Sequence, residues 1–375
     1  MGKIKILFVH FDLGNGGAEN VLVNLLNNLP PEKYDITLRT VFSGGVNKER
    51  LHNNIKFKPL FPMKAVGGSS QLFKFIPSKL LNKLFVRDKY DYEIAYLEDI
   101  PTRILGLGKK HTGTKRFAWY HNTMDEYGMP LRVYRSEKEF HNVYSTYDKI
   151  AFVSEGALES FEKFFNIDSK LEVVHNVCEF DELRSKAKEP IDLNLSHDLL
   201  NLCSVGRLCG QKGFHRLIKG LGNAAKNGIK KWHLYLIGDG PAKEDLINLV
   251  NENGITENVS FVGFQSNPQK YVSKMDFFIC SSYKEGYSTA VTESIVTGTP
   301  VLTTACSGMA EIFGESKCGI IVENSQEGLN NGLLELLSLS SKEISDFKAN
   351  TLRRSKGFTT EQRVNEFEKF IGTAS

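Results

Sequence analysis

Short apolar runs alternate along the whole chain with longer stretches in which apolar positions recur every three to four residues. The short runs are closed by Gly, Ser, Asn or Pro and read as strands; the longer stretches read as amphipathic helices. In the first half the pattern predicts strands at Ile4–His10, Ile36–Val41, Glu93–Leu97, Arg116–His121, Lys149–Ser154 and Leu171–His175. Residues 179–198, EFDELRSKAKEPIDLNLSHD, are charged, carry Pro190 and lack a hydrophobic period, as a linker should. The period then restarts, with strands predicted at Leu199–Val205, Trp232–Ile237, Val259–Phe264, Phe277–Ser281, Pro300–Thr304 and Gly319–Val322. Alternation of this kind produces parallel sheets with helices on both faces. The expected fold class is α/β, with two doubly wound Rossmann-like domains, residues 1–178 and 199–358, joined by the linker. A capped amphipathic helix within 359–375, with Val364, Phe367, Phe370 and Ile371 on one face, is expected to pack back on the first domain.

Bulk properties narrow the class. A chain of 375 residues exceeds what one hydrophobic core comfortably serves, which agrees with two domains. No apolar run reaches eighteen residues, so no membrane-spanning helix is expected. The opening MGKIKILFVHF runs straight into a Gly-rich turn and reads as a first strand, not a secretory signal. Six cysteines contain no Cys-x-x-Cys pair, and four lie in or beside predicted strands, which points to a reduced cytoplasmic protein without structural zinc. The net charge of +3 is too small to advertise a nucleic-acid partner.

Charge distribution adds one expectation. Residues 51–116 hold 13 Lys and Arg against 5 Asp and Glu. Within them, LFKFIPSKLLNKLFVR (72–87) places Leu80, Leu81, Leu84 and Phe85 on one helical face after a Ser78 cap, with Lys79 and Lys83 along its edge and Arg87 one turn on. A basic amphipathic segment of this kind predicts peripheral contact with an anionic membrane face. The alternative is a core-packed helix whose lysines snorkel to water.

In doubly wound sheets ligands bind beyond the carboxyl ends of strands, so chemistry is expected in the loops there. In SSYKEGYSTAVTESIVTGTPVL (281–302), a strand ends in Ser-Ser, Glu285 and Gly286 turn the chain, and Ser288 and Thr289 open a helix. The amides from Gly286 through Tyr287 and Ser288 to Thr289, at a helix N-terminus, suit a diphosphate. Glu285 before the helix and Glu293 about one turn inside it are placed to accept hydrogen bonds from two sets of hydroxyls on one ligand. In SVGRLCGQKGFHRLIKG (204–220), Arg207 and Lys212 flank glycines at a strand end and form a candidate phosphate clamp. Taken singly, each of these residues also fits a solvated surface charge.

Together the segments GNGGAE (14–19), VGRL with QKG (205–213), LIGDGP (236–241), VSFVGF (259–264) and the Glu285…Glu293 pair resemble the retaining GT-B glycosyltransferases of family 4, the glycosyltransferases group 1 family, of bacterial polysaccharide type. The resemblance implies two Rossmann-like domains facing across a cleft, with a nucleotide-sugar donor held by the second. It implies that Arg207 and Lys212 neutralise the donor diphosphate, Glu285 contacts the transferred sugar, Glu293 binds the ribose, and the backbone at Val262 to Phe264 lines the base pocket. It also implies that Gly16 and Gly17 allow close approach of a ligand, and that His121 lies near the sugar; a hydrogen-bonded strand-end histidine is the plain alternative. The implied donor is a UDP-sugar and the implied acceptor a glycan, lipid-linked. Gln211 stands where the family usually has Glu, and His175-Asn176-Val177 where Asn-Gly-Val is usual. No Asp-x-Asp triplet occurs, so no metal is expected and no cofactor beyond the donor.

Other enzyme classes share the architecture. A dinucleotide oxidoreductase would need Gly-x-Gly-x-x-Gly after a strand, but Glu19 and Lys243 occupy the third-glycine positions after Gly14-Asn15-Gly16 and Gly238-Asp239-Gly240. A GT-B-shaped sugar-nucleotide 2-epimerase would act on donor alone, and a non-catalytic partner subunit would be expected to lack Lys212 or Glu285.

Overall fold

The computed structural model describes residues 2–14, 16–63, 73–124, 133–167 and 170–374. Asn15 of the Gly-rich turn, Leu72 at the start of the basic segment and Ser375 lie outside the described residues. The chain divides into two compact units, Met1–Cys178 with Thr360–Ser375, and Glu179–Thr359.

The first unit is built on seven parallel strands: β1 (Ile4–His10), β2 (Tyr34–Thr40), β3 (Lys56–Phe57), β4 (Tyr92–Ala95), β5 (Lys115–Tyr120), β6 (Lys149–Phe152) and β7 (Lys170–Val173). They lie in the order β3-β2-β1-β4-β5-β6-β7. Ile6, Leu7, Phe8 and Val9 of β1 are all fully buried, because a central parallel strand is covered on both faces and reads as a continuous apolar run. β3 was not predicted; two residues are too short to carry a hydrophobic period. The C-terminal helix Thr360–Ile371 completes this unit. Its Phe367 stacks on Phe8 at 6.1 Å, and its Phe370 meets Trp119 at 5.1 Å and Phe117 at 5.2 Å. Lys33 and the Tyr34 hydroxyl both donate to Glu368 Oε1, at 2.8 and 2.6 Å.

The basic segment forms a short turn at Phe73–Phe75 and the helix Ser78–Phe85. Leu81 and Phe85 are buried in the unit, whereas Leu80 is 53% exposed and Phe75 is 75% exposed. The predicted apolar face is therefore split. Leu81 and Phe85 of it are core, Leu80 of it is exposed, and Phe75, outside it, adds to the exposed apolar surface.

The second unit carries β8 (Leu200–Val205), β9 (Trp232–Ile237), β10 (Val259–Gly263), β11 (Phe277–Cys280), β12 (Val301–Thr304) and β13 (Gly319–Val322). These form a six-stranded parallel sheet in the order β10-β9-β8-β11-β12-β13. Leu202, Leu234, Leu236, Phe277 and Ile279 from its strands pack with Leu217, Leu221 and Leu333 from the helices. The stretch read as linker is partly helical, Phe180–Lys186. Asp181 and Glu182 in its first turn and Arg184 and Lys186 in its last complement the helix dipole. Phe180 is buried against Phe358, and Arg184 donates to the Ser355 and Phe358 carbonyls. One buried aromatic and two backbone anchors supply what the missing hydrophobic period could not advertise. Among the described residues no helix is long and apolar enough to cross a membrane.

Candidate active site

In the second unit the strand order reverses direction at β8, which has β9 on one side and β11 on the other. That is where an open parallel sheet leaves a crevice for ligands. Two adjoining recesses lie there, sharing Val205 and Ala290 in their walls. One, of about 240 Å³, is lined by Ser204, Lys212, Ser282, Glu285 and Ser288. The other, of about 200 Å³, is lined by Pro268, Gln269, Val272, Glu293 and Ser294.

Lys212 reaches the larger recess because the chain turns sharply after β8. A short 3-10 turn, Gly210–Lys212, ends at Gly213 with φ +65°. A Cβ on Gly213 would lie 2.0 Å from the Ser281 carbonyl oxygen, so this crossing of two backbones requires glycine. The two segments are then stitched together: Tyr283 N–H donates to Gln211 O at 2.9 Å, and the Gln211 side chain donates to Lys284 O at 3.1 Å. That last bond needs an amide donor, which a glutamate at the same place would not supply.

Lys212 Nζ donates to Glu285 Oε1 at 2.8 Å, and Ser282 Oγ donates to the same oxygen at 2.6 Å. Burial pulls the Lys212 ammonium down, but the carboxylate of Glu285 beside it more than offsets this and holds it above the usual lysine value. Lys212 is therefore a charged cation throughout the physiological range, partly neutralised by its neighbour. Ser288 is buried and caps the helix Thr289–Val296 by accepting from Val291 N–H. Glu293 accepts from Gln269 Nε2 at 2.7 Å in the smaller recess. The sequence therefore brings Lys212, Glu285, Ser288 and Glu293 to one place. Arg207 is exposed on the loop after β8 and lines neither recess. Val262 and Phe264 lie at the end of β10, with Phe264 63% exposed, and line neither recess as well. Ser282 and Gln269, which hold the two carboxylates, carry no motif signal of their own; only contact reveals them.

In the first unit Gly16 precedes the helix Gly17–Asn28, and a Cβ there would meet the Glu19 carboxylate at 2.1 Å. The glycine turn is thus covered by its own helix's acid. His121 follows β5; its N–H donates to Glu98 Oε2 at 3.0 Å, and Glu98 also holds the Asn122 side chain. Burial, with a smaller push from His10, drives His121 down to about 3, opposed by a hydrogen bond to the Tyr96 backbone. The ring is neutral at physiological pH. Burial likewise lowers His10, at the end of β1, against the pull of Glu19, Asp12 and Glu98. Nε2 of both rings is enclosed without a partner. Sequence reasoning named the loop after His10 but neither His10 nor Glu98, although both stand at strand ends where ligands bind.

Residues 185–354 match the family model described as glycosyl transferases group 1. The chain is 27% identical over 389 residues to the N-acetylgalactosamine-N,N'-diacetylbacillosaminyl-diphospho-undecaprenol 4-alpha-N-acetylgalactosaminyltransferase of Campylobacter jejuni, covering 99% of this chain and 100% of that one. It is 30% identical over 142 residues, 37% of each chain, to the lipopolysaccharide glucosyltransferase WaaG of Escherichia coli. Among solved structures, Anabaena HepE in complex with UDP and glucose is similar with a TM-score of 0.74 at 14% identity, over 99% of this chain and 100% of that one. WaaG gives 0.69 at 16% identity, over 98% and 99%. These structural likenesses bear on the fold, which is GT-B. The recesses of the second unit thus lie within residues 185–354, the segment that matches the glycosyl transferases group 1 model, and the chain aligns along its length with a glycosyltransferase.

Proposed function

We propose that this chain is a retaining glycosyltransferase that moves a hexose or N-acetylhexosamine from a UDP-sugar to a lipid-linked glycan acceptor in bacterial surface polysaccharide or glycoconjugate synthesis. The observation that carries this reading is the convergence of Lys212, Ser282 and Glu285 beside a recess at the β8 to β11 crevice, with Glu293 in the adjoining one. Support for the acceptor comes from the Campylobacter relative, whose name specifies a diphospho-undecaprenol carrier and which aligns along its whole length. Support for the donor comes from HepE, solved with UDP and glucose.

The residues divide the work. The departing nucleoside diphosphate develops negative charge, which Lys212 opposes from the recess and Arg207 from the exposed loop after β8. Glu285 keeps Oε1 committed to Lys212 and Ser282, which leaves Oε2 to accept from a hydroxyl of the transferred sugar. Glu293, held by Gln269, accepts from the ribose. Two cations in place of a bridging metal make the reaction metal-independent in this reading. A thermal-shift screen of UDP-, GDP- and ADP-sugars tests the donor: a true ligand at a hundred times its Kd stabilises by about 2.7 kcal/mol. Stabilisation by GDP- or ADP-sugars alone would overturn the UDP assignment, and loss of transfer in EDTA with recovery on adding Mg²⁺ or Mn²⁺ would overturn metal independence.

The protein works at the cytoplasmic face of the membrane in this reading, where the basic excess of residues 51–116 meets anionic lipid. Exposed Phe75 and Leu80 stand beside Lys74, Lys79 and Lys83. Liposome co-sedimentation is expected to require anionic lipid, to fall with salt, and to drop in the triple variant Lys74→Glu, Lys79→Glu, Lys83→Glu; absence of wild-type binding at low salt would end this part of the reading.

A further inference from the structure

Arg216 lies in the first turn of the helix Phe214–Lys226, is 1% exposed, and lines neither recess. Its guanidinium has no carboxylate partner among the described residues. Every acceptor it has is neutral: Nε donates to Ser281 O at 2.7 Å, and Nη2 donates to Ser282 O, to Thr304 Oγ1 at 3.2 Å and to Asn324 Oδ1 at 2.8 Å. The plane sits 4.0 Å from the Tyr283 ring. Burying an uncompensated cation is costly, and an apolar side chain would fill the same volume more cheaply. What the guanidinium does that an apolar group cannot is hold residues 281–283 from several directions at once.

The grip converges on one peptide. Ser282 O accepts not only from Arg216 but also from Thr304 Oγ1 at 2.7 Å and Cys306 Sγ at 3.2 Å. Three donors on a carbonyl with two lone pairs leave that peptide little freedom to rotate. The hydroxyl of the same residue donates to Glu285 Oε1, the oxygen that Lys212 also holds. A continuous chain therefore runs from the Arg216 fork to the Ser282 carbonyl, through the Ser282 hydroxyl, to the Glu285 carboxylate.

We propose that Arg216 is a positioning residue for Glu285, acting through Ser282 by the geometry of its fork and not by its charge. This rests on the reading that Glu285 takes a hydroxyl of the transferred sugar. Lysine keeps the charge but carries its donors on one compact nitrogen, so it cannot grip Ser281, Ser282, Thr304 and Asn324 together. Thr304→Val removes one donor to Ser282 O with nearly unchanged volume and tests the same chain should Arg216 variants fold poorly.

The experiment combines kinetics, binding and structure. Turnover is read as UDP release by donor hydrolysis, with water taking the sugar, from whichever of UDP-glucose and UDP-N-acetylgalactosamine the wild type turns over, and UDP affinity by calorimetry, for wild type, Arg216→Lys, Thr304→Val, Glu285→Ala and the Arg216→Lys/Glu285→Ala double variant. Arg216→Lys is expected to lower kcat at least tenfold and Thr304→Val severalfold, with UDP Kd within twofold of wild type. In the Glu285→Ala background Arg216→Lys is expected to add nothing further. A crystal structure of Arg216→Lys is expected to show the Glu285 carboxylate displaced or split between rotamers. The inference is overturned if Arg216→Lys keeps wild-type kcat, if it weakens UDP as much as it lowers kcat, or if Glu285 stays in place. Glu285→Ala turning over either sugar nucleotide at the wild-type rate would instead overturn the reading of Glu285, and the crystal structure still decides whether Arg216 positions it.

Discussion

A lysine and a glutamate that hold each other in the free protein make opposite demands on a diphosphate. In Glu285→Ala, Lys212 loses the carboxylate 2.8 Å away and is left for the ligand. UDP affinity is expected to be unchanged or severalfold tighter, while transfer falls at least a hundredfold because the sugar contact is gone. In Lys212→Ala, Glu285 stands unpaired where phosphate charge must enter, so both UDP affinity and transfer are expected to fall at least tenfold. Equal loss of UDP affinity in the two variants, measured by calorimetry, would contradict these roles. Glu293→Ala should mainly weaken donor binding, since a ribose contact is made in ground and transition states alike. His121 makes a separate prediction. Its folded value of about 3 lies below its ordinary 6.5, so between these values the unfolded chain binds the extra proton. Stability supplied by the neutral ring is present above pH 6.5 and is lost as the pH falls toward 3. Thermal denaturation of His121→Gln is expected to show a shallower loss of Tm between pH 7 and pH 4 than wild type; parallel curves would show that this ring does not titrate as described.

Elements matter to the site through where they stop. β8 and β11 end side by side, the Gly210–Lys212 turn delivers the lysine, and the helix Thr289–Val296 begins at the opposite wall under its Ser288 cap. Gly213 is the joint in this arrangement. In Gly213→Ala the left-handed conformation alone costs on the order of 1–2 kcal/mol, and the added methyl must also displace the Ser281 carbonyl. We expect a lower Tm together with loss of UDP binding, because Gly213 directly follows Lys212 and its shift carries that lysine out of the recess. A variant with wild-type Tm and affinity would show that the two backbones can part freely. The linker stretch illustrates the limit of reading elements from pattern: Phe180–Lys186 is a helix because Phe180 finds Phe358 and Arg184 finds two carbonyls, contacts that sequence spacing cannot display. Likewise Leu80 and Leu81 are neighbours with equal hydrophobicity, and only packing sends one inward and one to solvent.

The molecule as a whole closes its first unit with its last helix, so residues 360–371 stabilise strands laid down hundreds of positions earlier. Truncation after Thr359 removes Phe367 and Phe370, whose loss from a core costs about 3–5 kcal/mol each, against a domain stability of about 5–15 kcal/mol. Hydrogen exchange is expected to show loss of protection across β1, β4 and β5 while the second unit, whose core uses none of this helix, stays protected. Undiminished protection in the first unit would sink that account.

Local chemistry alone determined much about this protein. The βα period, the helix caps and the apolar central strands are set by spacing within a few residues, so two parallel sheets and a C-terminal helix with an apolar face are legible in the sequence itself. The same holds for Lys212, Glu285 and Ser288 at strand and helix ends and for Glu293 one turn inside its helix, positions that follow from the order of elements. What tertiary structure decided is everything that depends on which loop meets which. It gave Glu285 two donors on one oxygen, Glu293 its Gln269, Ser282 its three-way grip and His121 its enclosed ring, and it left Arg207, Val262 and Phe264 outside the recesses. Those facts arise between segments separated by tens of residues in sequence, where hydrogen-bond direction and burial exist only once the chain has folded.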